Sequence, residues 1–145
     1  MRVPMKVDYG IRALVELARH NPNGHLSTAE IARRQEIPEP YLDQLLSTLQ
    51  KFGLIRSRRG PQGGHKLAKG SEQINLEMVV NTLEGTVEPL VCLEAPEECT
   101  LSSACAQREV WQIVGETVNN VLRSTTIADL AVRQQRLSGS GMYFI

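Results

Sequence analysis

The sequence predicts a mainly α-helical fold with a small β-hairpin: a helical head followed by a long C-terminal helix. Three observations predict it. Apolar residues recur at helical spacing three times within the first 52 residues, broken each time by proline or glycine. Two short β-prone runs then flank the glycine- and proline-rich turn RRGPQGG. A single apolar stripe finally spans the stretch from Ser102 to Arg123.

Val7, Ile11, Leu14, Val15 and Ala18 set the first helix, Val7 to His20, which stops at Asn21-Pro22-Asn23-Gly24. The second helix opens with a capping box, in which Ser27 caps the amide of Glu30 and the Glu30 side chain reaches back. Leu26 and Ile31 occupy its hydrophobic-staple positions, and Pro38 and Pro40 keep it short. The third helix starts at those prolines, whose missing N–H costs nothing in a first turn. It buries Leu42, Leu45, Leu46, Leu49 and Phe52 and leaves Tyr41, Asp43, Gln44, Ser47, Thr48 and Lys51 outside, ending at Gly53. The strands of the hairpin are 54–57 and 65–68. Asn75 caps a fourth helix bearing Leu76, Val79, Val80 and Leu83, ended by Gly85.

The segment VCLEAPEECTLSSAC, residues 91–105, holds all three cysteines and shows no apolar periodicity, so it reads as a loop. The longest helix follows from Ser102 or Ser103 to Arg123, with Val110, Trp111, Val114, Val118, Val121 and Leu122 along one side. A stripe so broad at the end of a small domain needs a cover, and a second copy of the chain is the expected one. Thr126 to Leu137 predicts a last short helix, Ser138-Gly139-Ser140-Gly141 a flexible link, and Met142-Tyr143-Phe144-Ile145 an apolar tail. The expected division is therefore a head over 1–72, a helical dimerisation region over 73–137 with the cysteine loop inside it, and a tail over 138–145.

The 145 residues carry no net charge, but the charge is unevenly spread. Residues 1–72 hold twelve Lys and Arg against seven Asp and Glu, and residues 73–145 hold four against nine. From Lys51 to Lys69 there are six bases and no acid. A neutral protein binds a polyanion when its positive charge is concentrated on one face. Helix, short helix, turn, helix and basic hairpin is the order of a winged helix-turn-helix, so double-stranded DNA is the expected partner. No run approaches the roughly 18 apolar residues of a membrane span, and MRVPMKVDYG lacks the apolar core of a signal peptide. The chain is expected in the cytoplasm, where three reduced cysteines suggest metal or redox chemistry rather than disulfides. No nucleophile–base pair and no phosphate loop points to an enzyme.

The stretches DYGIRALVELA and STAEIARRQEIPEPYLDQLLSTLQKFGLIRSRRGPQGGHKLA, with three cysteines before a long helix, resemble the Rrf2 family of bacterial winged-helix transcriptional regulators. That family includes the IscR, NsrR, RirA and CymR types. The resemblance spans about residues 5–132 and is most specific in SRRGPQGGHKLA, although His65 stands where the family usually has tyrosine. It implies that Pro40–Lys51 enters the major groove and that the wing lies on the adjacent backbone or minor groove. Pro40, Tyr41, Gln44 and Ser47 are then candidates for base or phosphate contact, and Ser27 and Thr28 for a phosphate at a helix N-terminus. Arg56, Arg58, Arg59, His65 and Lys66 suit phosphate or narrow-groove contact, and Gly63 and Gly64 let the backbone come close.

Possession of all three cysteines places the chain, by resemblance, in the branch that holds an iron–sulfur cluster, 2Fe-2S or 4Fe-4S. Clusters and structural zinc usually take four ligands, whereas C-x6-C-x5-C supplies three: Cys92, Cys99 and Cys105. IscR-type relatives complete the set with a histidine three residues after the last cysteine, and here that position is Arg108. NsrR-type relatives use an aspartate at the start of the first helix of the other subunit. Asp8 matches that position and is the expected fourth ligand, given across a homodimer; Glu94, Glu97 and Glu98 are alternative oxygen donors. The resulting expectation is a repressor whose binding to a palindromic operator responds to iron, redox state or nitric oxide. A zinc- or thiol-based regulator of the same fold, and an iron–sulfur electron-transfer or carrier protein, are the alternatives.

Overall fold

The computed structural model describes residues 2–20, 24–85 and 88–141, and the apolar tail Met142–Ile145 lies outside them. Its elements, in order, are α1 (Met5–Arg19), α2 (Thr28–Gln35), α3 (Glu39–Lys51), β1 (Ile55–Arg58), β2 (Gly64–Leu67), a 3-10 turn at Ser71–Gln73, and α4 (Leu76–Glu84). Then come α5 (Val91–Glu94), 3-10 turns at Pro96–Glu98 and Ser102–Ala104, α6 (Ala106–Ser124) and α7 (Ile127–Gly141). The two strands pair antiparallel, with Ile55 opposite Leu67, Arg56 opposite Lys66, Ser57 opposite His65 and Arg58 opposite Gly64. This is a mostly helical, winged helix-turn-helix architecture.

Helix α1 is the hub. It packs against α2, α3, α4, α7 and β2, and buries Val7, Ala13, Leu14, Val15 and Leu17. The core continues through Ile31, Leu42, Leu46, Leu49 and Ile55 into Ile74, Val79, Leu83 and Ile127. The expected boundary at residue 72 is thus not a boundary of the core, because α4 and the start of α7 complete the head. Between Asn75 and Thr126 the chain makes an isolated antiparallel bridge, with Leu76 N–H donating to Thr125 O and Ile127 N–H to Ile74 O at 2.9 and 2.8 Å. The chain therefore runs out through α4 and the cysteine segment, returns along α6 to this bridge, and lays α7 onto α1.

Several local expectations change. Phe52 is 62% exposed because it is the C-cap of α3 rather than part of the buried stripe. Ser27 does cap Glu30 N–H at 3.1 Å. The reciprocal arm of the box is absent, since the Glu30 carboxylate instead takes Arg33 and Arg34. These hydrogen bonds push its pKa down to about 2. Helix α6 begins at Ala106, three or four residues later than expected, after a separate 3-10 turn. Helix α7 continues to Gly141, so the expected flexible link is helical. Its start carries a capping box of its own, in which Asp129 N–H donates to Thr126 Oγ1 and Thr126 N–H to Asp129 Oδ2.

One buried charge holds the first two helices together. Glu16 is 6% exposed, accepts from Gln35 Nε2 at 2.7 Å, and lies 3.5 Å from Arg34 and 3.7 Å from Arg19. Arg12 donates to the side chain and backbone carbonyl of Gln35 from the same helix. Removing the carboxylate leaves Gln35 without its acceptor, while both arginines keep access to water. Glu16→Ala is expected to cost about 1–3 kcal/mol, read as a lower urea midpoint at unchanged slope. An unchanged midpoint would show that the network contributes nothing to stability.

Candidate nucleic-acid interface and cysteine segment

The wing is fixed to the start of α2 by backbone and side chain together. Leu26 N–H donates to His65 O at 2.9 Å and His65 N–H to Leu26 O at 2.8 Å, extending the hairpin by one bridge. Gly64, at φ 142°, makes this approach possible, since a Cβ there would fall 2.6 Å from the Leu26 carbonyl. Gly63 is equally constrained, with its Cβ direction blocked by Arg58 O at 2.1 Å. The glycines expected to bring the wing backbone close to a ligand are thus needed first to close the wing on itself and on α2. The His65 ring lies between two hydroxyls, with Nε2 2.8 Å from Thr28 Oγ1 and Nδ1 2.7 Å from Ser57 Oγ.

On α3, Pro40, Gln44 and Ser47 are exposed and Tyr41 is 36% exposed. The Tyr41 ring packs edge-on against Tyr9 of α1, centroids 5.7 Å apart, and Arg12 lies 5.4 Å over Tyr9. Tyr41 is therefore positioned by α1, which the spacing within α3 does not reveal. Ser27 spends its hydroxyl on the α2 cap, while Thr28 spends part of its own on His65. An open groove of about 830 Å³ separates the start of α2 from the wing, bordered by Ser27, Glu30, Arg58 and Gly63.

Ion pairing leaves the wing cations free, as it does Arg2, Lys51, Lys69, Arg108, Arg133 and Arg136 among the described residues, but only the wing gathers four of them on one hairpin. Lys6, Arg12, Arg19, Arg33, Arg34 and Arg123 each have a carboxylate within 4 Å. Among the described residues, Arg56, Arg58, Arg59 and Lys66 of the wing have none, and Arg56 faces Lys66 directly across the strands. Like charges placed opposite each other destabilise a hairpin, so the arrangement is suited to an external anion.

The cysteine segment is more ordered than expected. Cys92 lies on α5, Cys99 follows the turn Pro96–Glu98, and Cys105 is the N-cap residue of α6. All three are unbonded and partly exposed. Among the described residues, no group of three or more His, Cys, Asp or Glu side chains is gathered as metal ligands. The thiols have the right donor chemistry for iron or zinc, but one chain in this conformation does not form a site that fits either. Arg108 lines an open cavity with Cys99, Pro96, Glu97 and Ser102, and its buried Nε has no acceptor. Asp8 is in the first turn of α1, exposed, 3.7 Å from Arg12.

Helix α6 presents its stripe in two halves. Val114, Val118 and Leu122 are half-buried on the side that packs against α4. Val110, Trp111, Ile113 and Val121 are exposed, and Val91 and Leu101 of the cysteine segment are exposed with them.

Fold and surface together define a winged helix-turn-helix transcriptional regulator. The chain belongs to the Rrf2 family, described as iron-dependent transcriptional regulators, which residues 3–133 match. It is 34% identical over 145 residues to the HTH-type transcriptional regulator CymR of Bacillus subtilis, all of both chains being covered. It is 33% identical over 137 residues to the HTH-type transcriptional regulator IscR of Erwinia tasmaniensis, covering 94% of this chain and 82% of that one. The solved structure of B. subtilis CymR, that organism's global cysteine regulator, aligns with TM-score 0.78 at 34% identity over 92% of this chain and 98% of that chain. The structure of T. potens IscR aligns with TM-score 0.75 at 34% identity over 92% and 88%. These relatives are regulators and not enzymes.

Arg59→Ala is expected to weaken DNA binding and to reduce the slope of log K against log salt by about one. A salt titration with an unchanged slope would remove Arg59 from the phosphate contacts.

Proposed function

We propose that this regulator is a cytoplasmic homodimer that represses transcription by gripping a palindromic operator with α3 and the wing, and that Cys92, Cys99 and Cys105 are its sensing residues. The clustering of cations on the wing carries the DNA reading: among the described residues Arg56, Arg58, Arg59 and Lys66 have no carboxylate within 4 Å, and Arg56 faces Lys66 across the strands. Pro40, Tyr41, Gln44 and Ser47 are assigned to the major groove. Ser27, Thr28, Arg56, Arg58, Arg59, Gly63, Gly64, His65 and Lys66 are assigned to the flanking backbone. The exposed half of the α6 stripe is assigned to the second copy, since a two-fold operator calls for a two-fold protein.

The iron-dependent description of the family and the likeness to proteins named IscR support an iron–sulfur cluster as the cofactor. Its proposed ligands are the three thiolates and Asp8 of the partner subunit. Such a cluster would supply sensitivity to iron, oxidants or nitric oxide. Gathering the thiols requires α5, the two turns and the start of α6 to move together. Asp8 would also have to leave Arg12. A second reading has its own support, because the thiols are separate, partly exposed and one lies beside Arg108, while CymR is described as a cysteine regulator. In that reading the thiols act directly or bind zinc.

Anaerobic purification with visible absorption and iron and sulfide analysis separates the two. The cluster reading expects iron and sulfide in equal amount with broad visible absorption, both lost in a folded Cys99→Ser protein. A colourless protein holding zinc or no metal, with DNA binding that changes on thiol oxidation, establishes the second reading instead.

A further inference from the structure

We propose that His65 is a positioning residue for DNA phosphate, one that turns the hydroxyls of Thr28 and Ser57 outward as donors by taking up a proton when the duplex binds. The inference rests on the DNA reading above and extends it to a mechanism built on a single ring. His65 joins three elements: its backbone pairs with Leu26 ahead of α2, its Nε2 meets Thr28 in the first turn of α2, and its Nδ1 meets Ser57 on β1. A tyrosine hydroxyl, a single polar atom at a ring tip, cannot bridge two hydroxyls from opposite edges in this way.

Hydrogen-bond arithmetic sets the rest. A neutral imidazole has one donor nitrogen and one acceptor nitrogen. One of the two hydroxyls must then donate to the ring, and its hydrogen is unavailable to anything else. A doubly protonated ring donates from both nitrogens, so both hydroxyls accept from it and both keep their hydrogens for an outside partner. Phosphate oxygens only accept, so they favour the second arrangement, and the added positive charge favours them further. Ser57 is exposed and Thr28 half-buried at the joint of α2 and the wing, where an outside phosphate reaches both hydroxyls.

In the free protein, burial holds the His65 pKa below the ordinary imidazole value. The two charges acting on the ring come from other elements: Asp43 on α3 pushes it up and His25 ahead of α2 pulls it down. The ring is therefore neutral at pH 7 without DNA. A duplex that raises its pKa makes binding proton-linked: affinity is highest below the free-protein pKa, falls as pH rises through the window between free and bound values, and then levels off.

The test is a binding titration of the full-length protein against a duplex selected from random DNA, at constant ionic strength from pH 5.5 to 8.5. Wild type is expected to lose affinity by up to about tenfold per pH unit within the linked window. His65→Gln, which can bond both hydroxyls but does not titrate, is expected to bind with that dependence abolished, and His25→Gln to keep it. The His65 ring resonances should show a higher pKa in the complex than in the free protein, a readout that needs no variant. Undiminished pH dependence in folded His65→Gln, or an unchanged ring pKa in the complex, overturns the role of His65. Failure of the wild type to bind any duplex at any pH overturns the DNA reading itself, so the two failures are distinct.

Discussion

The two backbone hydrogen bonds between Leu26 and His65 hold the wing against the start of α2, and the proposed DNA face depends on that contact. It places the Thr28 and Ser57 hydroxyls on either side of one ring and sets the register of the strand opposite Arg56 and Arg58. Only glycine at position 64 allows so close an approach, because its φ is positive and any Cβ would strike Leu26. A hairpin of four residues per strand is not stable alone. Here its inner side is tied down by Ile55, Leu54 and the Leu26 bridge, so its outer side is free to keep a density of positive charge that an isolated hairpin would not tolerate.

A second constraint is the return of the chain. The bridge between Asn75 and Thr126 closes a long excursion through α4, the cysteine segment and α6, and α7 then packs on α1. Helix α1 also supports α3, and its Tyr9 positions Tyr41. A displacement of α6 therefore has a packed route to the reading helix through α4, which packs on both α1 and α3. In the proposed regulator this is how the thiols would bear on DNA, with the uncovered half of the α6 stripe setting the distance between two heads.

The helices of the head and the hairpin were legible because each is marked by local chemistry: Ser27 and Asn75 as caps, Pro38 and Pro40 as helix starters, and leucines at i, i+3, i+4 and i+7 in α3. What was not legible depends on contacts between distant residues. Nothing local to Glu16 shows that it will be buried beside Gln35 and Arg34. Nothing in Phe52 distinguishes a fifth stripe residue from a C-cap, because both fit the spacing. The Thr126–Asp129 capping box could have been read from its T-x-x-D pattern and agrees with a helix starting at Thr126, but nothing local reveals its continuation through Gly141 or its return to α1. Of the site, the cations and glycines of the wing were visible in sequence, but the cross-strand placement of Arg56 opposite Lys66 was not, because it depends on the hairpin register. The cysteine segment reads as a loop because its helical pieces are three or four residues long, too short for any periodicity to register.

Hydroxyl-radical footprinting of the protein on a duplex selected from random DNA tests the central claim most directly. Two protected blocks related by two-fold symmetry, with half-site centres separated by about 10–10.5 bp or a multiple of it, are expected from two heads that each use α3 and the wing. A single asymmetric block, or no protection at concentrations that saturate binding, would contradict a two-headed regulator built on this face.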